Sequence, residues 1–449
     1  MDLNNIHRVY FIGIGGIGMS AIARYFNEKG VKVSGYDRTP TALTRQLEAE
    51  GMQIHYTDEV NLLDKDANLV VYTPAIPAAH TELTWYRDHQ YEVVKRSDVL
   101  QEITRSLFAI TVAGTHGKTT VSTMIAHLLR DSGYGCNAFL GGISVNYDKN
   151  FWSSRKQVAV IEADEYDRSF LKLSPDIAVL TAMDADHLDI YGTPEAMEDA
   201  FIQYTHNIKP NGTLIARFGL HRDKELNATN KLLYSLQNDA ADAYAQNIRM
   251  KNGGYEFDVM HKDWMIDNLE LHIGGMHNVE NAVVAVTVAH LLGIGTDKIR
   301  AALSSFKGIK RRFEYVVKND HQIYIDDYAH HPEELKALIT SAKALFPGRK
   351  TTVIFQPHLF SRTRDLAEGF AASLSLADEV ILLPIYPARE LPIEGVSSEM
   401  IAAMITVPVR IMQKEEVLQW LKSNPVPLLI TAGAGDIDQL KEPIKEILK

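Results

Sequence analysis

The sequence predicts an α/β protein of three domains with mainly parallel sheets. Three observations carry this. Apolar, β-branched runs alternate with helix-like segments along most of the chain. Glycine-bearing turns follow the strand-like runs at 9–12 and 107–112. At 449 residues the chain is long enough for about three domains.

Taken in order, Val9 to Ile12 reads as a buried strand, followed by Gly13-Ile14-Gly15-Gly16-Ile17-Gly18 and a helix through about Lys29. Strands from Val31 to Tyr36 and from Asn68 to Tyr72 end at Asp37 and at Thr73-Pro74. This βαβ start predicts a Rossmann-like domain over residues 1–105. A P-loop-type central domain, 106–310, opens with the strand Leu107 to Val112, the loop to Thr120 and a helix from Val121 to Arg130. It continues with strands Gln157 to Ile161 and Ile177 to Thr181, then a polar stretch, Asn227 to Asp267, that reads as irregular. Gly274-Gly275-Met276-His277-Asn278 and an alanine-valine helix from Ala282 close it. The third domain, 311–449, alternates again, with strands at 323–325, 351–355, 379–384 and 427–430 and helices at 333–345 and 437–448. It predicts a second Rossmann-like fold.

Apolar residues make up 46% of the chain, enough for several cores, and the net charge of −11 argues against nucleic acid or a membrane surface as partner. Cys136 is the sole cysteine, so no intramolecular disulfide forms. The N-terminus lacks a basic-then-apolar signal pattern, and no apolar run reaches membrane-spanning length. A cytoplasmic enzyme without membrane insertion is expected.

The strongest motif is Gly114-Thr115-His116-Gly117-Lys118-Thr119-Thr120 between strand and helix. Backbone N–H groups and the helix N-terminus face an anion there, Lys118 adds charge, and the Thr119 hydroxyl can hold magnesium. The motif predicts ATP binding, although Val112 stands where the common loop has its first glycine. Gly13, Gly15 and Gly18, with Asp37 placed for a ribose, fit a dinucleotide fingerprint. Read alone they describe an NAD-dependent dehydrogenase; the pyrophosphate of a nucleotide sugar needs the same cradle, and the ATP loop favours that reading.

Glu162-Ala163-Asp164-Glu165-Tyr166-Asp167 follows a strand, where a magnesium ligand belongs, or it is an acidic solvated turn. Asp184 to Asp189 repeats the placement, with His187 a structural histidine on chemistry alone, since magnesium prefers oxygen. Arg311 and Arg312 are either a solvated pair or a phosphate clamp. In Asp326 to Pro332, the last two residues fit helix-start grammar. His358 and Arg362, after the next strand, are placed to meet a carboxylate. Gly433-Ala434-Gly435-Asp436 reads as a turn with Asp436 capping the final helix, or as another phosphate loop.

Together these motifs resemble the Mur ligases of bacterial peptidoglycan synthesis almost end to end. The resemblance rests on Gly13 to Met19, Gly114 to Thr120, Glu162 to Glu165, Asp186-His187, Gly275 to Asn278 with Asn281, Arg311 to Glu314, Asp327 to Pro332 and Gln356 to His358. It implies UDP-sugar, ATP and amino-acid domains, with ATP and Mg2+ as cofactors. Gly13, Gly15, Gly16, Ile17, Gly18, Met19, Asp37 and Thr73 would contact the UDP-sugar. Thr119 and Glu162 would hold magnesium, with His187 joining Glu162 at a second metal. Asn278 and Asn281 would contact adenine, Arg311 or Arg312 the phosphates, and Tyr328, His330, His358 and Arg362 the amino-acid site.

The pattern follows the member that adds L-alanine to UDP-N-acetylmuramate through an acyl phosphate. The tripeptide-recycling member is the alternative. A non-catalytic nucleotide- and UDP-sugar-binding regulator competes from outside the class. Leu359 replaces an arginine common in relatives, Tyr166 replaces a serine and matches the recycling member, and Phe201 falls where others carry a carbamylated lysine. A monomer or homodimer is expected.

Overall fold

The computed structural model describes every residue except Met1, Asp186 and Arg389, and every side chain of those except Asn4 and Asp189. Its strands form three sheets. The first contains β1 (Arg8–Ile12), β2 (Lys32–Tyr36), β3 (Gln53–His55), β4 (Leu69–Tyr72) and β5 (Val93–Lys95), all parallel, in the order β3-β2-β1-β4-β5. Strand order reverses between β1 and β4, the switch point at which such sheets open a crevice for ligands. The glycines after β1 and Thr73 after β4 sit at that switch.

The second sheet holds β6 (Phe108–Ala113), β7 (Asn137–Phe139), β8 (Phe151–Trp152), β9 (Val158–Glu162), β10 (Ile177–Leu180), β11 (Thr213–Arg217), β12 (Asn230–Ser235), β13 (Ala243–Lys251), β14 (Gly254–His261) and β15 (Met265–Leu271). Its order is β15-β14-β13-β12-β11-β10-β6-β9-β7-β8. The central strands β11, β10, β6, β9 and β7 run parallel. They are apolar on both faces, as a sheet covered by helices on each side requires. The third sheet contains β16 (Glu314–Lys318), β17 (Ile323–Asp327), β18 (Thr351–Phe355), β19 (Glu379–Leu382), β20 (Val409–Ile411) and β21 (Leu428–Ala432) in the order β16-β17-β21-β18-β19-β20. Only its edge strand β16 is antiparallel.

The polar stretch read as irregular is instead largely β-structure: β12 to β15 fill it. Burial alternates along β14, as on a strand with one face to solvent. Asn252 and Gly253, both at positive φ, make the tight turn between β13 and β14.

The chain divides into two compact units. The first comprises Met1–Gln246, Asp258–Leu269 and Glu280–Leu303, the second Asn247–Phe257, Glu270–Val279 and Ser304–Lys449. Within the first, one core runs from the helix Ile17–Glu28 into the second sheet, joining Tyr25 and Phe26 to Phe139 and Phe151. A buried polar knot lies beside it. Arg24, 1% exposed, pairs with Glu50 at 2.9 Å and donates to the Asn150 side-chain oxygen. The amide nitrogen of Asn150 donates to the Ile17 carbonyl and, at 3.0 Å, to Ser20 Oγ.

Candidate active site

β6 ends at Ala113, and the helix Lys118–Asp131 begins five residues later. Gly114 at φ +132 and Gly117 at φ +81 turn the chain so sharply that its amides gather at the helix start. Thr181, just past β10, braces the loop: its hydroxyl donates to the His116 carbonyl, and Thr115 N donates to the Ala182 carbonyl at 3.2 Å. His116 itself is exposed, with Nε2 3.9 Å from Asp184 Oδ2. Thr120 lies in the first turn of the helix, and the Asn281 side chain lies beside Gly117.

Lys118 Nζ donates to the Gly114 carbonyl and to Glu165 Oε1, each at 2.7 Å. Glu165 is buried, and desolvation raises its pKa although Lys118 pulls the other way. Its Oε2 is buried without a hydrogen-bond partner. Glu162 at the end of β9 accepts from the Thr119 hydroxyl and from Gly141 N, both at 3.0 Å. Thr119 and Glu162 thus present hard oxygen donors side by side, with the unsatisfied Glu165 oxygen three residues along, and this donor chemistry fits magnesium. His187, in a left-handed conformation at φ 49, places Nε2 3.9 Å from Glu165 Oε1 and its ring 5.2 Å from that of Tyr166. Asp186 lies outside the described residues.

At the first sheet's switch point, Gly13 turns at φ +87 against Thr73. Gly15 N donates to Asp37 Oδ2 at 2.7 Å, so the carboxylate expected at a ribose also braces the loop. A cavity of about 300 Å³ opens here, lined by Gly16, Ile17, Gly18, Met19 and Thr73 at one end and by Gly141, Glu162 and Asp164 at the other. Arg96 lines it too, 3.2 Å from Asp164 Oδ2. A methyl on Gly18 would stand 2.6 Å from Arg96 Nη1, the far end of a flexible chain. Gly18→Ala is therefore expected to swing Arg96 aside at a stability cost of about 1 kcal/mol or less. Ligand affinity at this cavity should fall about tenfold with loss of one charge-assisted contact, which calorimetry with a UDP-sugar reads directly.

The second unit collects the remaining candidates. Asn278, buried, donates to the Gly274 carbonyl at 2.6 Å. Arg311, at φ 61, donates to the Gly433 carbonyl, and its guanidinium lies 5.1 Å above the Tyr328 ring. Arg312 is exposed beside it. The His330 ring is 5.2 Å from that of Tyr328 and 6.4 Å from that of His358, which stacks on Tyr386. Burial, and then Arg362 in the first turn of the helix Phe360–Leu374, hold His358 below the ordinary histidine pKa. Leu359 caps that helix at φ 69, a conformation costly for a non-glycine residue. Asp436 does not serve the final helix as a side-chain cap; Gln356 and Lys414 take its carboxylate.

Asp326, at the base of this cluster, accepts from Thr431 Oγ1 at 2.6 Å, and Arg311 Nε is 3.8 Å from its other oxygen. Burial pushes its carboxyl up to about 6, above the unfolded value. A raised carboxyl favours folding at low pH and costs stability as pH climbs through the folded pKa. Asp326→Asn does not titrate. Its stability relative to the native chain should therefore improve as pH rises from about 4 to about 7, which denaturant midpoints across that range measure.

Glu165 as the partner of Lys118, and any site role for Arg96 or Thr181, are absent from the sequence-based expectations. Glu165 had a signal, a carboxylate three residues past Glu162. Arg96 and Thr181 had none, because their roles arise only when distant segments meet.

Three family models match the chain: the catalytic domain of the Mur ligase family over residues 8–107, the Mur ligase middle domain over 112–289 and the glutamate ligase domain over 311–435. The chain is 50% identical to the UDP-N-acetylmuramate–L-alanine ligase of Parabacteroides distasonis, covering 100% of this chain and 98% of that protein. It is 48% identical to the ligase of the same name from Cytophaga hutchinsonii, covering 99% and 97%. Among solved structures, the UDP-N-acetylmuramate-alanine ligase of Thermotoga maritima superposes with a TM-score of 0.83 at 26% identity, covering 98% of this chain and 99% of that one. The murein peptide ligase of Psychrobacter arcticus shares the fold, with a TM-score of 0.68 at 22% identity and 98% of each chain covered.

Proposed function

The chain belongs to the Mur ligase family, and from that premise we propose that it joins L-alanine to the lactyl carboxylate of UDP-N-acetylmuramate with cleavage of ATP to ADP and phosphate. The cavity is the observation that carries the reading. It runs from the glycines after β1 to Glu162, which accepts from Thr119 beside the phosphate loop. A nucleotide sugar seated by its pyrophosphate on Gly16 to Gly18 would send its acid end toward the γ-phosphate of ATP. The work is divided over residues 1–105 for the UDP-sugar, 106–310 for ATP and 311–449 for the amino acid.

In the first step a lactyl oxygen attacks the γ-phosphorus, the bond to the β-phosphate bridging oxygen breaks, and an acyl phosphate and ADP form. Lys118 and the loop amides carry the charge that moves through the phosphoryl group. Magnesium held by Thr119 and Glu162 would supply further neutralisation of the two anions that must meet. In the second step the alanine amine attacks the acyl carbon, the C–O bond to phosphate breaks, and an amide forms. The amine must first shed a proton. His358, whose pKa burial and Arg362 lower, suits that task, and Arg362 suits the alanine carboxylate. Asn278, Asn281, Arg311 and Arg312 serve the nucleotide. The enzyme works in the cytoplasm, where its nucleotide substrates are found, as a monomer or homodimer. Among the described residues no helix is long and apolar enough to cross a membrane.

The test is phosphate release from ATP with magnesium and UDP-N-acetylmuramate, comparing L-alanine with the L-alanyl-D-glutamyl-diaminopimelate tripeptide. Release with alanine alone, and a product heavier by one alanyl residue, is expected. Release with the tripeptide alone would replace this reading with the recycling ligase, whose tyrosine Tyr166 matches.

A further inference from the structure

Beyond β3, a loop carries Asp58 to the start of the helix Thr81–Asp88, where its carboxylate accepts from Thr81 N and Glu82 N, each at 3.0 Å. One nitrogen of His80 and one carboxylate oxygen each from Asp58 and Glu82 lie within 4.8 Å of one another. Glu82 is fully buried and His80 is 8% exposed. Both ring nitrogens of His80 are closed off from solvent and have no hydrogen-bond partner. An imidazole left in that condition costs about 1–3 kcal/mol, so the ring is placed for something other than the protein groups around it.

Its Nδ1 stops 3.4 Å from Asp58 Oδ1. Two ligands on a tetrahedral zinc, with bonds near 2.0 Å, stand about 3.3 Å apart. Bringing donors now within 4.8 Å to that spacing asks for at most about 1.5 Å of side-chain movement. The surroundings are those of ligating carboxylates. Tyr10 OH donates to Glu82 Oε2 at 2.7 Å and Glu59 N donates to Oε1 at 3.3 Å, which fixes the group yet leaves lone pairs free. Charge also calls for a cation. Among the described residues no lysine or arginine pairs with Asp58 or Glu82; only His80 and, 3.5 Å from Glu82, His55 approach them. Burial without a fixed positive partner pushes the Glu82 carboxyl up to about 7.

We propose that Asp58, His80 and Glu82 form a site for a divalent first-row transition metal, zinc being the ion that fits, apart from the phosphate loop. The imidazole nitrogen selects against magnesium and calcium, which take oxygen. Two carboxylates and a neutral imidazole balance a doubly charged ion. The Asp58 side chain, 29% exposed, marks the side from which the ion and a fourth, water ligand enter. Bound there, the ion staples the loop after β3 to the helix Thr81–Asp88. The site serves the fold of the first sheet and takes no part in phosphoryl transfer.

The full chain, stripped by chelator, is titrated with Zn2+ against a chromophoric chelator and with Co2+ by visible absorption, both in a Glu162→Gln background that disables the phosphate-loop metal site. One equivalent of zinc, four-coordinate cobalt bands and a rise in Tm with zinc are expected. His80→Ala and the milder Asp58→Asn should each lower zinc affinity at least about a hundredfold and remove the Tm rise, with circular dichroism confirming that the variants fold. A folded parent that takes up no equivalent of zinc would overturn the proposal. So would undiminished zinc binding in whichever of the two variants folds.

Discussion

Lys118→Ala should lower ATP-dependent phosphate release by about a thousandfold or more, because it deletes the positive charge of the loop proposed to carry the transferring phosphoryl group. UDP-sugar binding should stay within about twofold, since the glycines after β1 do not depend on Lys118. The substitution also strands Glu165, which is 1% exposed and takes its one ion pair with a lysine from Lys118. Breaking a buried pair on one side costs about 3 kcal/mol or more. The sign with pH follows from desolvation, which already raises the Glu165 pKa. Without Lys118 it rises further, so the variant should lose stability as pH increases and recover it on acidification. Adding Glu165→Gln separates the two effects: the double variant should regain most of the lost stability and none of the activity. Calorimetric unfolding at several pH values and a phosphate assay read both. Activity returning with the fold would show that Lys118 acts as a structural lysine.

Gly114→Ala should disable the loop between β6 and the helix Lys118–Asp131. At φ +132 an L-residue is strained by about 1–3 kcal/mol. The added carbon would also meet Thr181 Oγ1 and stand 2.7 Å from Ala182 N, a backbone atom that cannot swing away. Thr181 is the brace of the loop, so the methyl dislodges the strut as well as the turn. A loss of about 3 kcal/mol or more of stability and about a hundredfold of nucleotide affinity is expected. Trimming the brace with Thr181→Ala relieves only the side-chain contact, so the double variant should remain impaired. A fluorescent ATP analogue titrated into each variant decides this; wild-type affinity in Gly114→Ala would mean that the loop does not cradle phosphate in this geometry.

The same two residues show how much the sequence disclosed. Gly114 and Lys118 were legible because a strand, a glycine turn and a helix start impose local constraints that leave a written pattern. Val112, which departs from the common loop, proves to be a buried strand residue opposite Glu162 in the β6–β9 register. The loop still turns sharply, because the turn begins at Gly114. Glu165 was not assigned its role, since four acids crowd residues 162–167 and no periodicity says which one faces the lysine. The strands β12 to β15 were missed because solvent-facing positions leave many polar residues among few apolar ones, although Asn252-Gly253 carried a hairpin signal. Arg96 and Thr181 belong to a different kind of information. Each acts across more than sixty positions, on Asp164 and on the loop at His116, and nothing near either residue records the partner.

The knot formed by Arg24, Glu50 and Asn150 bears on how this protein could be recombined. A chimera that exchanges the first sheet with that of a relative, cut in the connection between the first two sheets, would leave Asn150 with the recipient. Arg24 would then face a foreign residue in a buried place, and the carbonyl of Ile17, which lines the cavity at the first sheet's switch point, would keep Ser20 Oγ but lose its amide donor. Such grafts should succeed only when the residue at position 150 travels with the donor segment. The natural unit of exchange is therefore an N-terminal sheet plus one asparagine encoded well downstream of it.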